Sequence, residues 1–249
     1  MAERNKSTQA IILSVKESPK NNRNVCLLSP DKGIFFSTLY GGSKSKLKSL
    51  IQPFNIGTIY IYEDEAKNLI KISDFDPQNF HLTFRTSIIK NLAANLAEEI
   101  VIKTKCGGEA KSAFVLLKAF LDGIDAFDES QTEPGLLRFI WRYLGLLGIQ
   151  AETSSCGDCG KTFEGKVFLN PNLNNFLCYS CGAKKKLQSF CTNAAAIEYL
   201  RAINNKSPSE SRKMLLDKET EKSLKYILFH LIQEATGSKL NSIEFFFSL

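Results

Sequence analysis

A chain of 249 residues has room for one or two domains and can bury a core without cross-links. Hydrophobic residues make up 43%, a normal globular share, and no stretch reaches the roughly 18 uninterrupted apolar residues of a membrane helix, so a helical membrane protein is not expected. The net charge is +6: residues 1–50 hold nine Lys/Arg against three Asp/Glu, and residues 51–249 hold 23 of each sign. All the excess positive charge thus lies in the first fifth of the chain, which suggests a polyanion contact there, the alternative being a solvated, solubility-giving surface.

The opening residues Met1-Ala2-Glu3-Arg4-Asn5-Lys6 show no apolar signal core and no small-residue cleavage site, so a cytoplasmic location is expected. Residues 1–76 then read as strands. The runs 9–16, 24–29, 33–39, 58–62 and 69–73 are rich in β-branched and aromatic residues and are separated by turn signals. Between the third and fourth lies 45–51, with Leu47, Leu50 and Ile51 at i, i+3 and i+4, which predicts a short helix. Five strands with a helix after the third is the arrangement of an OB-fold barrel, a common binder of single-stranded nucleic acid.

From residue 77 the pattern is helical. Helices are expected over 80–105, 110–127 and 134–147, with Gly107-Gly108 breaking the first from the second. Further helices are expected over 192–204 and 219–235, the last closed by Gly237, and Ser207-Pro208-Ser209-Glu210 has the form of a capping box. The segment 153–184 interrupts this domain with Cys156, Cys159, Cys178 and Cys181. The spacing is Cys-x2-Cys, 18 residues, Cys-x2-Cys, as in a four-cysteine zinc site. Four thiolates make a closed tetrahedron with no open position for water, so one structural Zn2+ is expected and a catalytic one is not. Gly160 and Gly182 follow the two pairs, where a left-handed residue fits, and 166–170 and 175–177 can form the hairpin of a zinc ribbon. The rival, a pair of redox dithiols, would need a thioredoxin-like setting that neither pair has. Of the seven cysteines, Cys26, Cys106 and Cys191 read as small buried hydrophobes rather than disulfide partners. The expected fold is therefore α+β and multi-domain: an OB-fold barrel over 1–76 and an all-helical domain over 77–249 with the ribbon inserted.

No phosphate-binding loop, dinucleotide fingerprint, nucleophile elbow or zinc-protease motif is present, and two histidines give little scope for acid–base work. Glu98-Glu99 reads as a solvated helix face. The expectation is of a binding protein rather than an enzyme. Candidate DNA contacts are Arg23 in the first turn, Lys44, Lys46 and Lys48 after the third strand, and Tyr40 beside them: lysines attract phosphate and aromatics stack on bases. Phe35, Phe36 and Phe54 read as barrel core, whereas the facing of Tyr60 and Tyr62 is open. Lys184-Lys185-Lys186 reads equally as DNA surface or solvated edge.

In this order the pieces resemble the bacterial RecO family of recombination mediators. The resemblance rests on Ala10-Ile11-Ile12-Leu13-Ser14, on Gly41-Gly42-Ser43-Lys44-Ser45-Lys46-Leu47 followed by Gln52-Pro53-Phe54, and on Leu137-Arg138-Phe139 leading through Gly148 to the first cysteine pair. The second pair and Thr236-Gly237-Ser238-Lys239-Leu240-Asn241-Ser242 complete it. Two departures stand out: Pro19-Lys20-Asn21-Asn22 in the first turn, and two glycines before Ser43. The resemblance implies a non-enzymatic DNA-repair protein of the bacterial cytoplasm, associated with the nucleoid. It implies binding to single- and double-stranded DNA, strand annealing, and action with RecR to load RecA onto DNA coated by single-strand binding protein. It also implies capture of that binding protein's acidic, hydrophobic C-terminal tail in the helical domain, for which Arg138 and Arg142, one turn apart, are the candidate contacts; a solvated stripe is the alternative. Outside the resemblance, an OB/zinc-ribbon RNA-binding accessory protein of transcription or translation is the second reading.

Overall fold

The computed structural model describes residues 4–247. Its contacts divide it into two compact units, Met1–Ala126 and Phe127–Leu249.

The first unit begins with five strands: β1 (Asn5–Ser18), β2 (Asn22–Ser29), β3 (Gly33–Leu39), β4 (Ile56–Asp64) and β5 (Leu69–Asn79). They close into a barrel in the order β1-β2-β3-β5-β4. The long first strand makes closure possible. Its first half pairs with β4 and its second half with β2, and Ile11 faces Ile56 on one side and Leu28 on the other. A register shift between Ile12 and Ser14 supplies the bend. The ring is completed by parallel pairing of β3 with β5 at Thr38 and Lys71. Alternation sends Val25, Leu27, Phe35, Leu39, Ile59 and Ile61 into one core, and a register shift opposite Tyr60 and Ile61 brings both Ile72 and Phe75 of β5 to it. Tyr60 and Tyr62, out of phase with the isoleucines of the same strand, therefore face outward. Phe36 also points outward and is 60% exposed, contrary to the core position expected for it: it is out of phase with Phe35 on a strand whose period is two.

The helix expected over 45–51 does not form. A 3-10 turn at Gly42–Lys44 gives way to an extended Ser45, whose Oγ accepts from the Leu47 amide at 3.2 Å. This side-chain turn competes with helical hydrogen bonding. Ile51 N–H donating to Leu47 O at 2.8 Å is the α-type closure that remains. The apolar spacing still served its purpose: Ile51 is fully buried in the barrel core, and Leu47 and Leu50 pack against it.

Beyond the barrel, a 3-10 segment (Leu82–Arg85) precedes α1 (Ile88–Lys103) and α2 (Ala110–Ala126). The first helix starts later than the expected residue 80 because Ser87 caps it, its side chain accepting from the Lys90 amide. The break before α2 uses left-handed backbone at Lys105, Cys106 and Gly107. Glu98 is not on a solvated face. It is 3% exposed within α1, its Oε1 has no hydrogen-bond partner among the described residues, and burial pushes its pKa well up. Glu99 is partnered by Lys103 at 3.1 Å. Both helices group with the barrel, whereas the sequence pattern had set a boundary at 76/77.

The second unit contains α3 (Thr132–Leu146), β6 (Lys166–Asn170), β7 (Asn175–Cys178), α4 (Tyr179–Lys184), β8 (Cys191–Asn193), α5 (Ala194–Asn205), α6 (Pro208–Ser211), α7 (Lys218–Thr236) and α8 (Asn241–Phe247). Helix α3 packs on α5 and α7. Trp141 is fully buried there and donates Nε1–H to Leu200 O at 2.9 Å, so its truncation to alanine costs about 3–5 kcal/mol. The Ser207/Glu210 capping box forms, and Gly237 closes α7 in the left-handed conformation at φ +60°. Strand β8 had no sequence signal. It pairs with β6, which thus lies between β7 and β8.

Candidate functional site

The cysteine ribbon is built on the β6–β7 hairpin, whose register sets Cys178 opposite Val167. Cys178 caps α4, and Cys181 lies one turn inside it. Cys156 and Cys159 come from the preceding loop, where Gly160 holds φ +69° and donates its N–H to Cys156 O at 2.9 Å. Gly182 is not left-handed, contrary to expectation. It is helical, and a Cβ there would lie 2.3 Å from Phe168 Cδ2, so glycine is needed for packing rather than for φ. The four sulfurs all lie within 4.8 Å of one another, and Cys159 Sγ stands 3.8 Å from Cys178 Sγ. A tetrahedron with metal–sulfur bonds of about 2.3 Å has edges of about 3.8 Å, so the set fits a four-coordinate metal ion. Electrostatics agrees. Burial opposes ionisation of Cys156, but amides of Cys159, Cys178 and Asp158 outweigh it and hold the thiol down at about 6. Cys181 is pushed up to about 12, chiefly by hydrogen bonding with Cys159. Crowded thiols of this kind cannot all ionise together without a cation among them. Four mutually adjacent cysteines can therefore bind one metal ion. Lys185, in the lysine run after the ligands, is paired with Asp158 at 3.3 Å, whereas Lys184 and Lys186 are exposed.

The basic segment resolves into two groups. Lys6 and Lys32 are neutralised by Glu63, at 2.8 and 3.0 Å. Among the described residues no carboxylate pairs with Arg23, Lys44, Lys46 or Lys48. The turn before Arg23 and the turn after Tyr40 approach closely: Gly41 N–H donates to Asn22 Oδ1 at 3.2 Å, and a Cβ on Gly42 would lie 1.9 Å from Asn21 O. The second glycine of the Gly41-Gly42 pair is thus required by the backbone of the first turn, whose carbonyl at Asn21 leaves no room for a side chain. Tyr40 is 49% exposed and Lys44 is exposed beside it, which makes one cationic, aromatic end of the barrel. Lys46 and Lys48 face a separate groove of the same unit, with Arg85, which the sequence pattern did not single out. Tyr60 is 43% exposed on β4. Tyr62 is tied down, its hydroxyl accepting from Arg4 at 3.0 Å and its ring lying 4.5 Å from Lys71 Nζ.

Arg138 and Arg142 do not form a solvated stripe. Arg138 is 5% exposed and donates to Tyr199 Oη at 3.1 Å. Arg142 donates to the carbonyls of Ile203 and Lys206 and to Ser211 Oγ, closing the end of α5. Helical spacing revealed their shared face but not that α5 covers it.

His81 is a structural clamp. It is buried, its Nδ1 lies 2.7 Å from Phe54 O and its Nε2 2.9 Å from Asp122 Oδ1. Asn79 Nδ2 also lies 3.1 Å from Nε2, so the ring joins the Phe54 carbonyl, Asp122 and Asn79 in one hydrogen-bonded cluster. Burial opposes ionisation of Asp122, but His81, Lys118 and Asn79 together hold its carboxyl well below the usual range. Phe54 itself sits at φ +71°, held by His81 on its carbonyl and by Ile12 O on its amide at 2.9 Å.

None of the curated proteins compared matches the chain. The family model described as "Recombination protein O C terminal" matches residues 85–244, well over half of the sequence. No helix among the described residues is long and apolar enough to cross a membrane. With the closed barrel before it and the four-cysteine cluster inside it, this match shows that the chain belongs to the recombination protein O family and has that family's recombination and repair role.

Proposed function

We propose that the protein is a non-enzymatic recombination mediator of the bacterial cytoplasm. It binds single- and double-stranded DNA, anneals complementary strands, and works with RecR to load RecA onto DNA coated by single-strand binding protein. The family match over residues 85–244 carries this reading. Unpaired Arg23, Lys44, Lys46 and Lys48 on the barrel unit support the DNA contact, since phosphate attraction needs cations free of carboxylates. The metal is zinc, which four tetrahedral thiolates suit, and its role is structural, because four sulfur ligands leave no position for the water or substrate of a catalytic site. The acidic, hydrophobic tail of the binding protein docks in the helical unit. A cavity of about 210 Å3 lined by Pro134, Leu137, Tyr199, Met214 and Leu215 supports the apolar side of that docking; Glu221 also lines it, so the tail's acidic groups lie outside the cavity, Arg138 stands behind Tyr199, and Arg142 serves the fold.

The test is annealing of complementary strands coated with single-strand binding protein, with and without this protein. Acceleration that depends on the tail of the binding protein is expected, and no acceleration would remove the mediator reading. Binding to DNA and RNA of one sequence separates the second reading: tighter RNA binding would favour an RNA accessory protein.

A further inference from the structure

The barrel unit has a groove of about 700 Å3 that opens beside the segment joining β3 to β4. Lys46, Lys48 and Arg85 line it, and all three are exposed. No lining residue is a carboxylate, and among the described residues none of the three cations has an ion-pair partner. The floor is aromatic. Phe84 lies 5.1 Å from His81 with the rings nearly parallel and meets Phe54 edge-on at 5.4 Å. Phe80 is half-buried on the wall, and Gln52 adds a polar group.

We infer that this groove holds one nucleotide unit of a single DNA strand, its phosphate against Lys46, Lys48 and Arg85 and its base on Phe80, which the buried rings of Phe54, His81 and Phe84 back from below. This rests on the DNA-binding reading above and adds a location and a contact set to it. The charge balance selects the ligand, because three cations without a counter-charge in a half-enclosed site favour an anion. The half-buried Phe80 selects among anions, since every base offers a face to stack on it and inorganic phosphate does not. Preformation is the third argument. The His81 clamp fixes Phe54 and Phe84, so little order is lost on binding. The groove is separate from the Tyr40 end of the barrel, so a strand that contacts both would cross the 41–48 segment.

Photocrosslinking of the full chain to a thymidine oligonucleotide carrying 5-iododeoxyuridine, mapped by mass spectrometry, tests the idea. The expected adduct lies in the peptide bearing Phe80. Arg85→Ala should reduce oligonucleotide affinity about five- to tenfold and lower the salt slope by about 0.7. Phe80→Ala should weaken binding about tenfold with an unchanged slope, and Phe80→Trp should restore it. Circular dichroism melts of each variant establish that the fold is intact. Wild-type affinity in folded Arg85→Ala and Phe80→Ala variants, with loss in Arg23→Ala/Lys44→Ala, overturns the groove and leaves the DNA-binding reading standing. Absence of DNA binding by the wild-type protein overturns both. Displacement of the oligonucleotide by equimolar free thymidine monophosphate, or preferential crosslinking to RNA of the same sequence, overturns the assignment to a DNA strand.

Discussion

The cysteine ribbon and the cationic barrel unit achieve order by opposite means. In the ribbon, four thiols crowd within 4.8 Å around a position that needs a cation, and little apolar material surrounds them: Leu177 is buried, with Phe163 and Leu187 partly so. In the barrel, eleven buried side chains form a closed core, and Arg23, Lys44, Lys46 and Lys48 stand outside it without a carboxylate partner among the described residues. One region gathers thiols that can hold a cation, and the other has an apolar core of its own and displays positive charge on its surface. Stability and binding are therefore separable in this chain, and the separation can be tested by experiment.

The largest effect belongs to the metal. Cys178→Ser, or removal of the ion by chelation, should cost the ribbon on the order of 10 kcal/mol of folding free energy, seen as a lost thermal transition and loss of bound metal in elemental analysis. Oligonucleotide affinity of the barrel should change little; its disappearance from a protein that stays folded would break the comparison. Next is the triple replacement of Lys44, Lys46 and Lys48 by alanine. The melting temperature should hold, while the slope of log affinity against log salt should fall by about 2 for a single strand. An unchanged slope would mean that the barrel's charge is only solvation. Gly42→Ala joins the two properties: left-handed φ +37° and the approach to Asn21 O should cost about 1–3 kcal/mol and displace Tyr40 and Lys44 as well. Affinity should fall with stability here, unlike in the lysine variant. The smallest effect is Glu98. Its folded pKa is raised above 4.5, so the folded state holds more protons and stability declines as pH rises from there through the folded value. Glu98→Gln should flatten that decline in pH-dependent denaturant melts. A wild-type profile that rises over the same range would show that the burial is relieved by water.

Much of this was legible in the sequence, where the physics is local. Strands declared themselves by β-branched runs between Gly, Pro and Asn turns, and the ligands by spacing alone. What was missed depends on distant partners. Arg138 and Arg142 looked like a pair on a free face because nothing in their spacing reports that Tyr199 and Ser211 lie across from them. Arg85 and Phe80 were passed over because the groove joins them to lysines nearly forty positions earlier. Strand β8 is three residues long, too short for any periodicity. The missing helix at 45–51 is a different failure: the apolar face was read correctly, but the Ser45 side chain redirected the backbone.

Strand β8 also sets how news of the metal travels. Thr192 on it shares a hydrogen bond with Ser223 of α7 at 2.8 Å. Asn193 caps α5 through the Ala196 amide and donates to Thr220 Oγ1 at 2.7 Å. Its ladder to β6 is the seam between ribbon and helices. Amide exchange should accordingly show the ribbon and the first turns of α5 and α7 opening as one foldon when the ion is withdrawn, although neither helix holds a ligand.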